Sequence, residues 1–470
     1  MKKQILASIF LLAAATSQAQ NIQKDIALGK QYSEQVEKSV GIYDNPELTA
    51  YIKAVGDKLT AQMDEPLFEY KYTILATPEP NAFSIPGGHL YITTGMFPFL
   101  ESEDELACIM AHEIIHANNR HVIKSNRKGI IPGILQIPGA IIGAVIDESI
   151  GNALQSPFQQ LGLLTHASYN RRQETEADLE GVEIAAKAGY DPDALKSILS
   201  RIGEYGEIVS GEAEEKNAYA SHPMTDDRVA KIDKLVPNLV IGENSYLATN
   251  FLEKFDGALA GSDPSNGVFV EQTFLNPTVG FKLVFPEDWE SGFMGNLIAG
   301  VNLENKEYMR VTFEESEVNP TDAAQTYLEG LSPYAKEAVI GSEPVSVGDK
   351  IGHIVAFKEE SGEEVYYGSR TWVKQEGLLF SFMAISTSED QAKMEEILYS
   401  LSNLSEDDIQ TIEVSILKLV SAQENETAVS LIERTKAELT EAVTLLINQK
   451  KIGDLFQKEE TVKVVVPEKL

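Results

Sequence analysis

The sequence predicts an α+β protein with a helix-rich first part, a strand-rich second part and a small mixed block at the C-terminus. Several helical patterns occur in the first 235 residues, whereas strand patterns dominate from Phe269 to about Ser386. A chain of 470 residues is also too long for one ordinary core. We therefore predict a first domain over residues 20–262, an appended α+β domain over 268–402 and a C-terminal module over 410–470.

The chain is strongly acidic. It has 39 Lys and Arg against 72 Asp and Glu, which gives a formal net charge of −33. Nucleic acid is not an expected partner, because phosphate binding needs clustered Lys and Arg. The same charge argues against electrostatic attachment to an anionic membrane. Acidity of this kind is most simply a contribution to solubility.

The N-terminus has the three parts of a secretory signal peptide. Lys2-Lys3 precedes an apolar run from Ile5 to Ala15, and Ser17-Gln18-Ala19 supplies small residues for cleavage. The run is roughly half the ~20 residues that a membrane-spanning helix needs, and an uncleaved anchor is the alternative. The single cysteine, Cys108, cannot form an internal disulfide. We expect residues 1–19 to be a signal peptide and the protein to be exported, first of all to the periplasm, with secretion as the alternative.

Four elements are predicted before residue 122. The segment from Asn45 to Gln62 has the apolar spacing of an amphipathic helix, and Tyr70 to Ala76 is typical of a strand. A Pro-Gly-Gly turn within Asn81 to Gly95 predicts a β-hairpin. The acidic run from Glu101 to Glu105 favours a helix N-terminus, and we predict that this helix continues from Leu106 to His121.

A second long helix is predicted from about Ala167 to Ala188. Between the two helices, Gly129 to Ile146 is nearly all apolar but is interrupted by Pro132 and Pro138. These prolines count against a spanning helix. The segment is either an interfacial loop that contacts a membrane or a membrane-protein substrate, or a buried helical hairpin.

His112-Glu113-Ile114-Ile115-His116 is an HExxH motif inside a strongly helical pattern. Because an α-helix has ~3.6 residues per turn, His112 and His116 project from one face, one turn apart. Two neutral imidazoles in that arrangement can bind one zinc ion and leave positions for a third ligand and a water. The carboxylate of Glu113 lies where it can accept a proton from that water. Two surface histidines on a charged helix are the alternative, but the apolar neighbours predict a buried helix, in which histidines need partners.

The third ligand is expected on another helix, within Glu174-Thr175-Glu176-Ala177-Asp178. Glu174 and Asp178 are four apart and share a helix face, whereas Glu176 points roughly 200° around the axis. We therefore predict that Glu174 is a metal ligand and that Asp178 accepts the free N–H of a ligand histidine. An acidic helix face in solvent is the alternative.

Four segments resemble, in order, the zinc metalloprotease family that contains the HtpX-like, BepA-like and Oma-like enzymes and the CAAX prenyl proteases. They are NAFSIPGGHLYITTGM at 81–96, ELACIMAHEIIHANNRH at 105–121, YNRRQETEADLEGVEIAAKAGYDP at 169–192 and SHPMTDDR at 221–228. Four ordered matches are far more specific than HExxH alone. The exported, BepA-like branch is the better match, since no spanning helices are evident. The resemblance implies a mainly helical zincin-type protease domain with a small β-hairpin or sheet.

The resemblance also implies roles for single residues. The zinc ligands would be His112, His116 and Glu174, with Glu113 as the catalytic base and Asp178 as the orienting carboxylate. His222 matches the family's His-Pro position, which in BepA-like enzymes can approach the zinc as an additional ligand and occlude the site. Alternatively, His222 stabilises the tetrahedral oxyanion, or it has a structural role at the turn before Pro223. Arg228 would help to place this loop.

Several further features are interpreted as structural or stay unassigned. Gly87 and Gly88 are turn residues of a hairpin that resembles the segment bordering the family's cleft, where an edge strand could hold an extended substrate by main-chain hydrogen bonds. His121 is interpreted as structural, while His89 and His166 are unassigned. The final block resembles a degenerate LysM-like module. Modules of that kind bind peptidoglycan, but here a packing role is expected and peptidoglycan binding is not.

These features together predict a zinc metalloendopeptidase, with one zinc per chain, that cleaves exported or misfolded envelope proteins and uses Glu113 as general base. One alternative is a largely latent, chaperone-like envelope factor whose zinc site is occluded by His222. Another is a binding protein that keeps only a structural metal, against which the presence of Glu113 argues. The expected partners are polypeptide substrates, with peripheral membrane contact through Gly129 to Ile146 if that segment is a loop.

Overall fold

The computed structural model describes residues 2–125, 169–211, 222, 225–243, 250–361 and 364–470. The apolar segment from Gly129 to Ile146 lies outside these residues. The described chain divides into two compact units. The first contains the described residues up to Asp263 together with Glu413–Glu468, and the second contains those of Pro264–Ile412 and Lys469–Leu470. Both units mix helices and strands, as the sequence predicts, while the boundaries at residues 262, 268, 402 and 410 stay predictions.

The first unit is mainly helical. Its helices are α1 (Lys2–Val40), α2 (Pro46–Thr60), α3 (Glu103–Asn118), α4 (His121–Ser125), α5 (Arg171–Lys187), α6 (Ala194–Ser210) and α7 (Asp226–Leu235). Side-chain caps fix where the two central helices begin. The side chain of Ser102 accepts a hydrogen bond from the backbone N–H of Glu105 at the start of α3. Asn170 and Gln173 form a capping box at the start of α5.

A small sheet lies beside α3. It comprises β1 (Lys71–Leu75), β2 (Ala82–Ile85) and β3 (His89–Thr93) in the order β1-β3-β2, so β2 is at an edge. β2 and β3 are antiparallel, which confirms the predicted hairpin, and β1 is parallel to β3. Gly87 and Gly88 in the connecting turn have φ values of 85° and 88°, a region that favours glycine.

The prediction that the motif helix continues to His121 is wrong. Helix α3 ends at Asn118, and Arg120 has a φ of 56° before α4 begins at His121. A left-handed residue at a helix end reverses the chain direction locally. His121 therefore does not continue the helical face that carries His116.

Helices α3 and α5 pack closely enough for their side chains to share one site. Gly181 of α5 faces the backbone of His112, and a Cβ at residue 181 would lie only 3.1 Å from the His112 nitrogen. The absence of a side chain there allows the two helix backbones to approach. Apolar residues of α3, including Leu106, Ile109 and Ile114, are buried in the surrounding core. The HExxH helix is thus buried, as its apolar neighbours predict.

The second unit has two sheets. Its strands are β4 (Val268–Val270), β5 (Thr273–Asn276), β6 (Phe281–Val284), β7 (Glu290–Met294), β8 (Leu297–Asn302), β9 (Glu307–Glu315), β10 (Val339–Val347), β11 (Lys350–Ser361), β12 (Glu364–Gln375), β13 (Leu378–Ser386) and β14 (Ser402–Asn403). Its helices are α8 (Pro320–Gly330), α9 (Pro333–Ala338), α10 (Ala392–Tyr399) and α11 (Glu406–Thr411). The larger sheet has the order β10-β11-β12-β13-β9-β8-β7, and the smaller β14-β6-β5-β4. The unit has its own aromatic-rich core, which includes Phe274, Phe281 and Phe380.

The C-terminal segment packs into the core of the first unit. It consists of β15 (Glu413–Ser421), α12 (Ala428–Thr435), α13 (Glu441–Ile447) and β16 (Thr461–Lys469). Leu417, Ile447 and Val465 are buried in the same apolar cluster as the residues of α3. This arrangement agrees with the expected packing role. Within the described part of the chain, no helix has both the length and the apolar character that a membrane span needs.

Candidate metal centre

The two central helices bring the predicted ligands together. The Nε2 atoms of His112 and His116 on α3 lie 3.0 Å apart. The carboxylate of Glu174 on α5 approaches both, with Oε1 at 3.5 Å from His116 Nε2 and Oε2 at 3.7 Å from His112 Nε2. All three side chains are at most 5% exposed. Their donor atoms, with one from His222, lie within 4.8 Å of one another.

His222 is the fourth member of this cluster. Its Nδ1 is 3.1 Å from Nε2 of His112 and 3.0 Å from Oε2 of Glu174. Its Nε2 faces the opposite way, 3.2 Å from Oε1 of Glu113. The imidazole therefore lies between the predicted ligands and the predicted base. This position is compatible with both site roles considered for His222, an additional ligand or a group that contacts the reacting atoms.

The donor set fits a divalent metal such as zinc. Nδ1 of His112 lies 3.2 Å from the carboxylate of Asp178, an acceptor, so the proton of this imidazole belongs on Nδ1. The lone pair of His112 Nε2 then faces the Nε2 of His116 at 3.0 Å. Imidazole nitrogens and a carboxylate oxygen converging on one point are the usual ligands of Zn²⁺.

Asp178 is held by Arg228 as well as by His112. The guanidinium of Arg228 donates hydrogen bonds to both carboxylate oxygens, at 2.7 and 2.6 Å, and a third to the carbonyl oxygen of His222 at 2.8 Å. Burial alone would raise the pKa of Asp178, but the hydrogen bonds from Arg228 and His112 outweigh it and lower the pKa to about 2. Asp178 is thus an ionised acceptor beside His112, a predicted metal ligand, in the position that helical spacing predicts.

Glu113 points into the same site from α3. It is 1% exposed, and its Oε2 accepts a hydrogen bond of 3.2 Å from the hydroxyl of Ser84 on β2. Burial raises the pKa of the Glu113 carboxyl, although the nearby His222 and His112 oppose the shift. A carboxyl group with a raised pKa exchanges protons more readily near neutral pH. This is the property that a general base and acid needs.

The pKa values of His222 and Glu174 shift in opposite directions. Burial would lower the pKa of His222, but the charges of Glu174 and Glu113 raise it overall. Burial would raise the pKa of Glu174, but His222 and His112 lower it overall. Without a metal, each of the two groups therefore favours the charged form of the other.

Three further side chains border the cluster; the sequence predicts a structural role for His121 and no role for the other two. Ser84 is one of them, and His121 is another, with its Nδ1 3.0 Å from Nδ1 of His116. The third is Tyr169, whose ring stacks on the imidazole of His116 with the centroids 3.7 Å apart. The position of Tyr169 immediately before the cap of α5 is the one sequence signal that could have indicated it.

The remaining candidates lie outside the cluster. Glu176 points away from it, as the helical spacing predicts, and contacts His121 and Arg172. His89 is buried on β3 without joining the site, while His166 lies outside the described residues.

The sequence of this region is similar to that of known proteins. Residues 46–236, which contain the four donor residues and Glu113, match peptidase family M48. The beta-barrel assembly-enhancing proteases of Yersinia pestis and Escherichia coli are each 26% identical, over 240 and 242 residues, and each match covers 48% of this chain and 48% of the relative. The mitochondrial metalloendopeptidase OMA1 of Schizosaccharomyces pombe is 28% identical over 190 residues, covering 40% of this chain and 53% of the relative. The chain spans about half the length of the curated relatives it matches.

A helix with two histidines one turn apart, a glutamate between them and a third donor from a neighbouring helix define the class of metallopeptidases. Together with the match over residues 46–236, this site supports a peptidase M48 domain in this part of the chain, of the branch that contains the BepA-like and OMA1-like metalloproteases. The resemblance found in the sequence is confirmed.

Proposed function

We propose that the chain is a zinc-dependent metalloendopeptidase that hydrolyses peptide bonds of exported or misfolded envelope proteins. The observation that carries the proposal is the convergence of the donor atoms of His112, His116 and Glu174 beside the buried carboxylate of Glu113. Zinc held there supplies a Lewis acid that polarises the scissile carbonyl and lowers the pKa of water. The match of residues 46–236 to peptidase family M48 supports the same class of reaction.

Glu113 is the residue to which we assign proton transfer. The hydroxyl of Ser84 holds its Oε2, which leaves Oε1 directed towards His222 and the centre of the site. From this position Oε1 can accept the proton of the attacking water and later deliver it to the leaving amine. Burial raises the pKa of Glu113 and so favours both steps near neutral pH.

Polypeptides are the proposed substrates. Strand β2 (Ala82–Ile85), at the edge of its sheet, carries Ser84 next to Glu113, so an extended chain paired with this edge would pass the site. The signal-like N-terminus and the names of the beta-barrel assembly-enhancing relatives support an exported, periplasmic location. Peripheral membrane contact through Gly129 to Ile146 is part of the same proposal.

Two measurements test the enzyme. The purified full chain should contain about one zinc by elemental analysis, and His116→Ala and Glu174→Ala should contain little. Glu113→Gln should keep the zinc and lose hydrolysis of unfolded α-casein. Parental proteolysis by Glu113→Gln would contradict the assigned base, and a parent that takes up no zinc would overturn the enzyme assignment.

The position of His222 favours a second candidate function, a largely latent envelope assembly or quality-control factor. Its Nδ1 lies within 3.1 Å of donor atoms of both His112 and Glu174, where a fourth ligand would close a catalytic site. In a latent enzyme, His222→Ala would raise the rate of casein hydrolysis. In an enzyme that uses His222 to stabilise the oxyanion, the same variant would lower kcat.

A further inference from the structure

A further histidine, His121, contacts the side of His116 that carries Nδ1. Helix α3 ends at Asn118, and the left-handed turn at Arg120 brings the side chain of His121 back beneath His116. The Nδ1 atoms of His116 and His121 are 3.0 Å apart, and Nε2 of His121 is 3.2 Å from Oε2 of Glu176. His121 is 0% exposed.

The protons along this chain of three residues can be arranged in only one way when His116 binds a metal. A ligand imidazole that uses Nε2 carries its proton on Nδ1, which then donates to Nδ1 of His121. His121 must therefore carry its own proton on Nε2, and this N–H donates to Glu176. Because an ionised carboxylate is only an acceptor, Glu176 fixes the direction of both hydrogen bonds.

We infer that His121 and Glu176 are positioning residues, which hold His116 in the tautomer and ring orientation that bind zinc. Glu176 itself is not a ligand and acts through His121. This role corresponds to the one that Asp178 has for His112, at 3.2 Å from its Nδ1. Each ligand histidine thus has its own acceptor outside the metal centre.

Further hydrogen bonds hold His121 and Glu176 in place. The side-chain amide of Gln173 donates a hydrogen bond of 3.0 Å to the carbonyl oxygen of His121, which ties α4 to α5. Arg172 donates a hydrogen bond of 2.7 Å to the second oxygen of Glu176. Glu176 therefore has one oxygen for Arg172 and the other for His121. Outer partners of this kind commonly change metal affinity by about 10–100-fold when they are removed.

The inference rests on the proposed zinc site and is tested by zinc affinity rather than by proteolysis. The full chain is loaded with zinc, and its dissociation constant is measured by competition with a chromophoric chelator. Four variants are compared with the parent: His121→Phe, His121→Asn, Glu176→Ala and Glu180→Ala. Glu180 is the matched control, since it is an exposed carboxylate on the same helix that contacts Asn119 instead of His121.

We expect His121→Phe to weaken zinc binding about 10–100-fold. Glu176→Ala should also weaken zinc binding. His121→Asn should recover most of the affinity, because its side-chain oxygen can accept the hydrogen bond from His116, whereas a merely structural histidine would not be replaced in this way. Glu180→Ala should bind zinc like the parent.

The outcomes separate the two hypotheses. A parent that binds no zinc overturns both the proposed function and this inference. A parent that binds zinc, with the same dissociation constant in His121→Phe and Glu176→Ala, overturns this inference alone. If His121→Phe does not fold, Glu176→Ala decides, because Glu176 is 30% exposed and its replacement leaves the core intact.

Discussion

Arg228 and Asp178 form a buried, bidentate salt bridge beside the candidate metal centre. Nε of Arg228 donates to one carboxylate oxygen at 2.7 Å and Nη2 donates to the other at 2.6 Å. Arg228 is 4% exposed and Asp178 is 1% exposed. The third contact of the guanidinium, to the carbonyl of His222, joins the segment carrying His222 to helix α5. One arginine therefore holds both Asp178, the acceptor beside His112, and the backbone of His222.

Arg228→Met should destabilise the metal-free protein by about 3–5 kcal/mol, because it leaves the carboxylate of Asp178 charged, buried and without its main partner. Arg228→Lys should lose less, since lysine keeps the charge but cannot reproduce the two parallel hydrogen bonds. Thermal unfolding followed by circular dichroism at 222 nm measures both effects. A melting temperature of Arg228→Met equal to that of the parent would show that the salt bridge contributes nothing to stability.

The hydroxyl of Ser84 should matter for turnover but not for metal binding. It donates a hydrogen bond to Oε2 of Glu113, the predicted base, rather than to a predicted metal ligand. Ser84→Ala should lower kcat about ten- to hundred-fold, because a hydrogen bond to a charged group contributes roughly 1.5–3 kcal/mol. KM for α-casein and the zinc content should stay unchanged. Ser84→Ala is introduced into the parent or into His222→Ala, whichever hydrolyses casein faster, and kcat is compared with and without this substitution. An unchanged kcat would contradict the role of Ser84 in holding Glu113.

The periodicity of the α-helix predicts much of this site. Two pairs of residues four apart, His112 with His116 and Glu174 with Asp178, had to share faces of their helices. The structure brings all four side chains together and turns Glu176 away. The apolar residues that flank the motif, such as Ile109 and Ile114, also predict that its helix is buried, and both lie in the core. The roles of these residues in metal binding and catalysis stay predictions.

Contacts that depend on a local break or on distant segments could not be predicted. The position of His121 depends on the left-handed conformation of Arg120, and a non-glycine residue gives little sequence signal for that conformation. Lys463 is separated from its partner Glu101 by 362 positions in the chain. No local pattern links residues so far apart, because tertiary packing alone decides which of them meet.

Removal of zinc should destabilise the protein, since the metal binds the folded state and the separated ligands of the unfolded state bind it poorly. At a free zinc concentration a thousand-fold above the dissociation constant, the stabilisation is about 4 kcal/mol. Treatment with a chelator should therefore lower the melting temperature by several degrees, and added zinc should restore it. His116→Ala provides the control, because its melting temperature should not respond to zinc. A parent that is equally insensitive would contradict the proposed site.

The C-terminal strand is connected to the start of the HExxH helix by a buried lysine. Lys463 of β16 is 2% exposed, and its Nζ donates hydrogen bonds of 2.9 Å to the carbonyl of Leu100 and 2.8 Å to the carboxylate of Glu101. Burial lowers the pKa of Lys463 from 10.5 to about 8, although Glu101 opposes the shift. The charged form of this lysine is thus less favourable in the folded protein than in the unfolded chain.

The stability of the protein should therefore depend on the ionisation of Lys463 between pH 8 and 10.5. In this range the unfolded chain binds more protons than the folded protein, so the contribution of Lys463 to the free energy of unfolding rises with pH. This stabilising contribution is fully present above pH 10.5 and is lost as the pH falls through about 8. The difference in free energy of unfolding between the parent and Lys463→Met should grow by about 3 kcal/mol over this range. Urea unfolding at several pH values measures it, with Lys458→Met, which removes an exposed lysine from the preceding turn, as the control. A difference between parent and Lys463→Met that stays constant from pH 8 to 10.5 would mean that Lys463 keeps its proton in the folded protein.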